Sequence, residues 1–332
     1  MSDAATTRPM PVGRKVSLTA NLPAGWGTAS LVAGAWLLLV LASAVHRADF
    51  LSYQTLLAVA FTMAIVGVLA VAQALVGMSG AILDLSQPTA LTLAGAVVCQ
   101  LLGMGWPIPI VLVAGILVGA AWGLFNATII VVGKLNPIIV TLATNFIGTA
   151  VMFLIFQHIQ APIASPVVAW GQGNFLGLPN IWWPMVALVL IVGFLLPRTA
   201  YGRHAIAVGG SRFAAQARGI SLKKTRFAIF ISSGAIVGLA SIMFAASNGP
   251  FAPIAGTTFQ LPVIAGVILA GVSLAGGRGS IWLILLSVGF LSTVPTSLVF
   301  FGLSSNWQAV FQGFILIVAV SIDGWRARRL QR

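Results

Sequence analysis

The chain has 332 residues, 59% hydrophobic and 6% charged, with a formal net charge of +13 at pH 7. A soluble domain carries about a quarter charged residues, so this composition excludes a water-facing globule and leaves lipid as the solvent. The positive charges sit at the ends of apolar segments and in one loop, the pattern of cytoplasmic membrane loops rather than of a nucleic-acid binder.

Residues 1–27 are polar and rich in Pro and Gly, and read as a cytoplasmic tail with no cleavable signal. The first apolar run then serves as an uncleaved anchor. A membrane-crossing helix needs about 20 mainly apolar residues, whereas barrel strands alternate over about ten. The stretch "LVAGAWLLLVLASAV" (31–45) is continuously apolar, so the spans are helical. Ten fit, near 28–45, 53–75, 88–103, 108–131, 138–156, 181–197, 227–246, 260–275, 280–298 and 307–323. The fold class is an all-α polytopic membrane protein of about ten transmembrane helices. An eight-span count, with re-entrant pieces around 76–103 and 253–280, keeps the same sidedness and stays open. Counting alternate sides from a cytoplasmic N-terminus places Arg8, Arg14, Lys15, Lys134, the cluster 198–226, Arg278, Arg326, Arg328, Arg329 and Arg332 inside. Only Arg47 falls outside, as the positive-inside rule requires. Both termini are then cytoplasmic, with the membrane domain at 28–323 and a basic tail at 324–332.

Helix breakers cluster twice. "GMSGAILDLSQPTALTLAG" (77–95) carries Gly77, Gly80 and Pro88 around Asp84, one of only four acidic residues in the chain. "NGPFAPIAGTTFQLPVIAGVILAGVSLAGGRGS" (248–280) carries Pro250, Pro253, Gly256 and Pro262. Irregular backbone at membrane depth is tolerated where it lines a cavity or is buried in protein, and matched breaks in two halves of a chain point to a transport site. Asp84 and Ser86 also have the spacing of a capping pair for a helix opening at Pro88.

Between the breaks, Gly115, Gly119 and Gly123 recur at four-residue spacing, which lets helix backbones approach closely in lipid. "NPIIVTLATNFIGTA" (136–150) places Thr141, Thr144 and Asn145 on one helix face, and Asn126 and Gln73 add amides in other spans. A threonine can satisfy itself on its own helix. Asn145 must bond a neighbouring helix or face a wet cavity, and the cavity is the reading taken here.

Two loops are long. Residues 157–180 are rich in Pro, Gly and amides and fall outside, as a cap over a pathway or a plain connector. His158, His46 and His204 are each isolated, and the single Cys99 lies in an apolar run, so no metal site is assigned. Residues 198–226 carry seven of the seventeen Lys and Arg and no acid. There Ser211 can cap a short helix and Gly219 can end it in the left-handed conformation. This loop either fixes topology against anionic headgroups or docks a cytoplasmic partner. No nucleotide motif is present: "GGRGS" (276–280) lacks the Lys and spacing needed to cradle phosphates. No nucleophile–base pair or carboxylate dyad can be drawn, and intramembrane acids are too few for ion coupling. Energy for uphill transport would enter from a partner.

Five ordered stretches carry a resemblance: "GAILDLSQPTALTLAG" (80–95), "NPIIVTLATNFI" (136–147), "YGRHAIAVGGSRFAAQARGISLKKTR" (201–226), "AGTTFQLPVIAGVILAGVSLAGGRGSIW" (255–282) and "NWQAVFQGFILIVAVSID" (306–323). Together they resemble the permease subunits of bacterial ABC importers for ribose and related sugars, within the group that also holds branched-chain amino-acid permeases. The resemblance implies an inner-membrane protein that pairs with a second permease copy or paralogue, two cytoplasmic ATPase domains and a periplasmic solute-binding protein. It implies no cofactor in this chain, since ATP and Mg belong to the ATPase partners. It assigns ATPase docking to 198–226, with Gly210, Ser211, Arg212, Ala214, Ala215, Arg218 and Gly219 as contact residues. The implied mechanism is alternating access about a central cavity, with Asp84, Ser86, Gln87, Thr141, Asn145 and Gln260 as pathway candidates. Two departures stand out. An extra residue precedes Asp84, and Gln260 and Pro262 replace an acidic pair usual in sugar permeases. A branched-chain amino-acid or nucleoside permease is the alternative within the family, and a stand-alone secondary transporter the alternative outside it.

Overall fold

The computed structural model describes residues 26–81, 83–155, 165–248, 252 and 254–331. The N-terminal tail, His158, Pro250 and Pro253 lie outside these residues. The chain runs as α1 (Trp26–His46), α2 (Tyr53–Val76), α3 (Gln87–Gly103), α4 (Ile108–Val132), α5 (Pro137–Ile155), α6 (Pro166–Gln172), α7 (Trp182–Arg198), α8 (Ala200–Gly210), α9 (Arg212–Ala217), α10 (Leu222–Asn248), α11 (Gln260–Leu269), α12 (Leu283–Phe300) and α13 (Ser305–Gln331). A helix therefore meets each of the ten predicted spans, and the all-α polytopic class holds. Fewer of them cross unaided. Among the described residues six helices are long and apolar enough to span, or seven if α7 and α8, bent by 74°, count as one. The α3 helix is shortened by the break before it, and α11 stops at Leu269 because Gly271 turns left-handed (φ 79°). Hydropathy, which extends that span to 275, does not register this.

The core is built on α2, whose second half is wholly buried and packs against α7, α10, α11 and α12. The closest helix pair is α4 with α10. The glycine spacing predicted this approach. A Cβ on Gly119 would overlap the Gly234 carbonyl oxygen, and one on Gly123 the carbonyl of Phe230. Gly238 in turn faces the Gly115 carbonyl, so glycines line both sides of the contact.

The 157–180 connector is folded where it is described. Ser165 caps α6, and a two-residue hairpin (Asn174–Phe175 with Leu178–Pro179) turns through Leu176 and Gly177, both at positive φ. Gly171 of α6 packs against Ala246 of α10, which seats this layer on the helix ends.

Candidate functional site

The first break starts as a widening of α2. Residues Gly77–Ala81 form a single π turn, and Gly80 then adopts φ 74°, ψ 19°, a left-handed geometry that glycine takes without a Cβ clash. The chain doubles back so that Asp84 lies beside Gln73 of α2. With its amide oxygen toward Asp84 N (3.0 Å) and its nitrogen toward Asp84 O (3.2 Å), Gln73 pairs with the Asp84 backbone as a strand would. Its nitrogen also lies 3.0 Å from the Gln87 amide. The sequence marked Gln73 only as an intramembrane amide. A signal lay in the break itself, since exposed donors and acceptors there demand a side-chain partner.

Asp84 does not cap α3. Its Oδ1 accepts from Ser86 N at 2.9 Å and from Ser86 Oγ at 2.7 Å, closing an Asx-type turn. Ser86 occupies the position before α3 with near-helical backbone (φ −92°, ψ −1°) and makes no side-chain cap bond, because its hydroxyl is already used. Asn126 Nδ2 donates to Ser86 Oγ (2.8 Å), and Thr144 Oγ1 donates to Asn126 Oδ1 (2.7 Å). Leu85 N donates to Thr141 Oγ1 (3.0 Å). The break is thus pinned by a buried polar chain to α4 and α5.

Asn145 follows the other branch of its predicted alternatives. It bonds a neighbouring helix, accepting from Thr89 Oγ1 of α3 at 2.8 Å, and is buried. One hydrogen bond across packed helices satisfies its carbonyl without water.

The second break meets the first. Beyond Ile254 the chain forms a tight 3-10 turn, Ala255–Phe259, and enters α11 at Gln260. Gly256 lies against the Pro88 carbonyl, where a Cβ would overlap it. Between the two segments is a cavity of about 10 Å³, room for about one water. Asp84, Gln87 and Gln260 line it, with Gln73, Phe259 and Leu69. Three of the six pathway candidates therefore converge here. Ser86, Thr141 and Asn145 do not line this cavity and serve the network that holds Asp84 in place. Asp84 is 8% exposed, and its second carboxylate oxygen has no partner among the described residues. The site can accept hydrogen bonds from hydroxyls and, through its amides, give them.

The basic loop is largely helical, through α8 and α9. Ser211 Oγ accepts from Ala214 N (3.2 Å), and Gly219 ends α9 at φ 78°. Gly210, Arg212, Ala214, Arg218 and Gly219 are exposed, but Ala215 is 2% exposed and packs inward, so it offers nothing to a partner. Phe213, which the motif reading passed over, is 84% exposed between Arg212 and Arg218. Its signal was an aromatic inside a short capped helix whose neighbours are all small or polar. Burial of an exposed aromatic flanked by cations is the usual anchor of a protein interface.

Residues 55–320 match the family described as branched-chain amino acid transport system, permease component. Among curated proteins the chain is 32% identical over 287 residues to the fructose import permease of Rhizobium meliloti, covering 83% of this chain and 79% of that one. It is 31% identical over 289 residues to the ribose import permease of Bacillus subtilis, covering 86% and 89%. Identity to the L-arabinose ABC transporter permease of Azospirillum brasilense is 28% over 279 residues, covering 84% and 82%. No solved structure matches the chain.

Proposed function

The chain belongs to the permease component family of branched-chain amino acid transport systems, and from that premise we propose that it carries a neutral hydroxylated solute of the sugar class through a bacterial inner membrane. It is a multi-pass permease subunit whose relatives are sugar ABC importers. The observation that carries the solute class is the cavity where both broken segments meet. Its polar wall is one carboxylate and three amides, with no cationic side chain among the described residues. Such a wall suits hydroxyl groups, which both donate and accept, better than the carboxylate of an amino acid, which needs a positive partner. The cavity holds about one water, so it represents a closed gate, and Gly256 must leave Pro88 for a solute to pass.

The energy enters through two ATPase subunits seated on α9. A second permease copy or paralogue completes the pathway, and a periplasmic binding protein delivers the solute to the face opposite α9. Exposed Phe213, flanked by Arg212 and Arg218, supports an aromatic anchor in an acid-rimmed groove. Phe213→Ala should release the ATPase subunits from the purified complex, while Ala215→Ser, on the inward face, leaves them bound. Retention of the ATPase by Phe213→Ala overturns this assignment.

The solute class is tested in proteoliposomes holding permease, ATPase and binding protein. D-ribose, D-fructose or L-arabinose uptake should be ATP-dependent and should fall in Asp84→Asn and Gln260→Ala. Uptake of leucine instead would favour the family's branched-chain amino-acid reading, and uptake without ATPase would favour a secondary transporter.

A further inference from the structure

Three segments distant in sequence meet at glycines beside the docking helix. Gly80 of the first break, Gly209 at the end of α8 and the Gly276–Gly277 turn touch through backbone alone. A Cβ on Gly209 would overlap the Met78 carbonyl oxygen and stand 2.5 Å from Gly277 N. One on Gly276 would stand 2.6 Å from Gly80 Cα, and one on Gly277 2.5 Å from Gly210 Cα. Gly277 N donates to Met78 O at 2.9 Å, and Arg212 Nη2 of α9 donates to Gly80 O at 3.3 Å. The turn is itself closed by Ser273 N donating to Arg278 O (3.1 Å). No flexible side chain lies between these backbones, so none can absorb a displacement.

The joint has two outputs. From Gly80 the chain reaches Asp84 in four residues. From Gly276 it leads back through the turn to α11, a stiff rod whose far end is Gln260. Asp84 and Gln260 stand on the two walls of the cavity. The input is α9, which follows Gly209 and Gly210 directly.

We infer that Gly80, Gly209 and the Gly276–Gly277 turn form a fixed joint that delivers displacement of α9 to both walls of the cavity at once. This rests on the proposed seating of the ATPase on α9. These glycines are positioning residues: they touch no solute and act through Asp84 and Gln260. Their chemical requirement is absence of a Cβ, which is why three chains of backbone can bear on one another there.

The test uses the complete complex of permease, ATPase and loaded binding protein. Gly209 is helical, so Gly209→Ala adds a steric wedge at the joint without left-handed strain. Gly105→Ala adds the strain (φ 73°) with nothing within 4 Å, and is the control. In Gly209→Ala the ATPase should stay bound, while binding-protein-stimulated hydrolysis and uptake fall about 5- to 150-fold, the usual span of a coupling free energy. Gly105→Ala should transport normally. Wild-type transport in Gly209→Ala overturns the joint. Should Gly209→Ala fail to fold, amide hydrogen exchange of the wild-type complex decides. A nonhydrolysable ATP analogue should change exchange at Gly77–Ala81 and Gly276–Arg278 together with α9. Protection of α9 by the ATPase without change at those two segments overturns the joint alone. No protection of α9 overturns the seating, and the joint with it.

Discussion

Asp84 illustrates how a buried acid is held without a cation. Its carboxylate is met by the Ser86 N–H and hydroxyl, its backbone by Gln73, Ser86 in turn by Asn126, and Asn126 by Thr144. Such a chain is costly to interrupt, since removing one member leaves a buried donor or acceptor unpaired at about 1–3 kcal/mol. Ser86→Ala should therefore lower the thermal midpoint of the detergent-purified permease. Asn126→Ala, which takes one partner from Ser86 and one from Thr144, should also lower it. Combining the two should cost less than the sum, because they share one network. Full additivity would show that the two side chains act independently. The presence of Asp84 in the break was legible in the sequence, but its turn was not: Asp and Ser before Gln-Pro read as a helix cap, and the structure makes them an Asx turn. What decided between them was Asn126, forty residues on, whose amide claims the Ser86 hydroxyl. No local pattern contains that information.

At the scale of elements, the α4–α10 pair rests on backbone approach along two glycine rows. Gly119→Val should separate these helices, since its branched side chain would press on the Gly234 carbonyl and neither backbone has a rotamer to change. Overpacking of this kind typically costs about 1–3 kcal/mol and often more where backbone must shift. The readout is loss of monodisperse protein in detergent for Gly119→Val beside its retention for Gly313→Val, a glycine with nothing within 4 Å. The same pair shows what hydropathy delivers. It placed a helix at each of the ten spans, because a 3.6-residue rod needs a continuous apolar run to meet lipid, but it did not mark α6 or α8. It put the start of α10 at 227, whereas the helix begins at Leu222 with Lys223, Lys224 and Arg226 in its first turns, capped by Ser221. Capping chemistry carried α9 correctly from Ser211 to Gly219, as both signals are local. The meeting of Gly80, Gly209 and Gly276 was invisible, because a glycine announces only that a Cβ is missing and not which backbone arrives in its place.

For the whole molecule, the charge distribution yields an orientation that can be tested. The loops holding Lys134, the α9 region and Arg278 alternate along the chain with those holding Trp106 and the 174–179 hairpin. By the positive-inside rule the basic set is expected on the cytoplasmic side. The chain offers a clean way to check this, since its single cysteine, Cys99, is wholly buried and should be silent toward a membrane-impermeant maleimide. Leu176→Cys at the hairpin tip, where the side chain is 75% exposed, should label in intact cells. Gln216→Cys, exposed on α9, should label only after the membrane is opened. Reversed labelling would place α9 outside, out of reach of any ATPase, and would remove the docking proposal together with the joint that depends on it. Labelling of Leu176→Cys alone in intact cells would instead set the solute's entrance on the hairpin side and the source of force on the other.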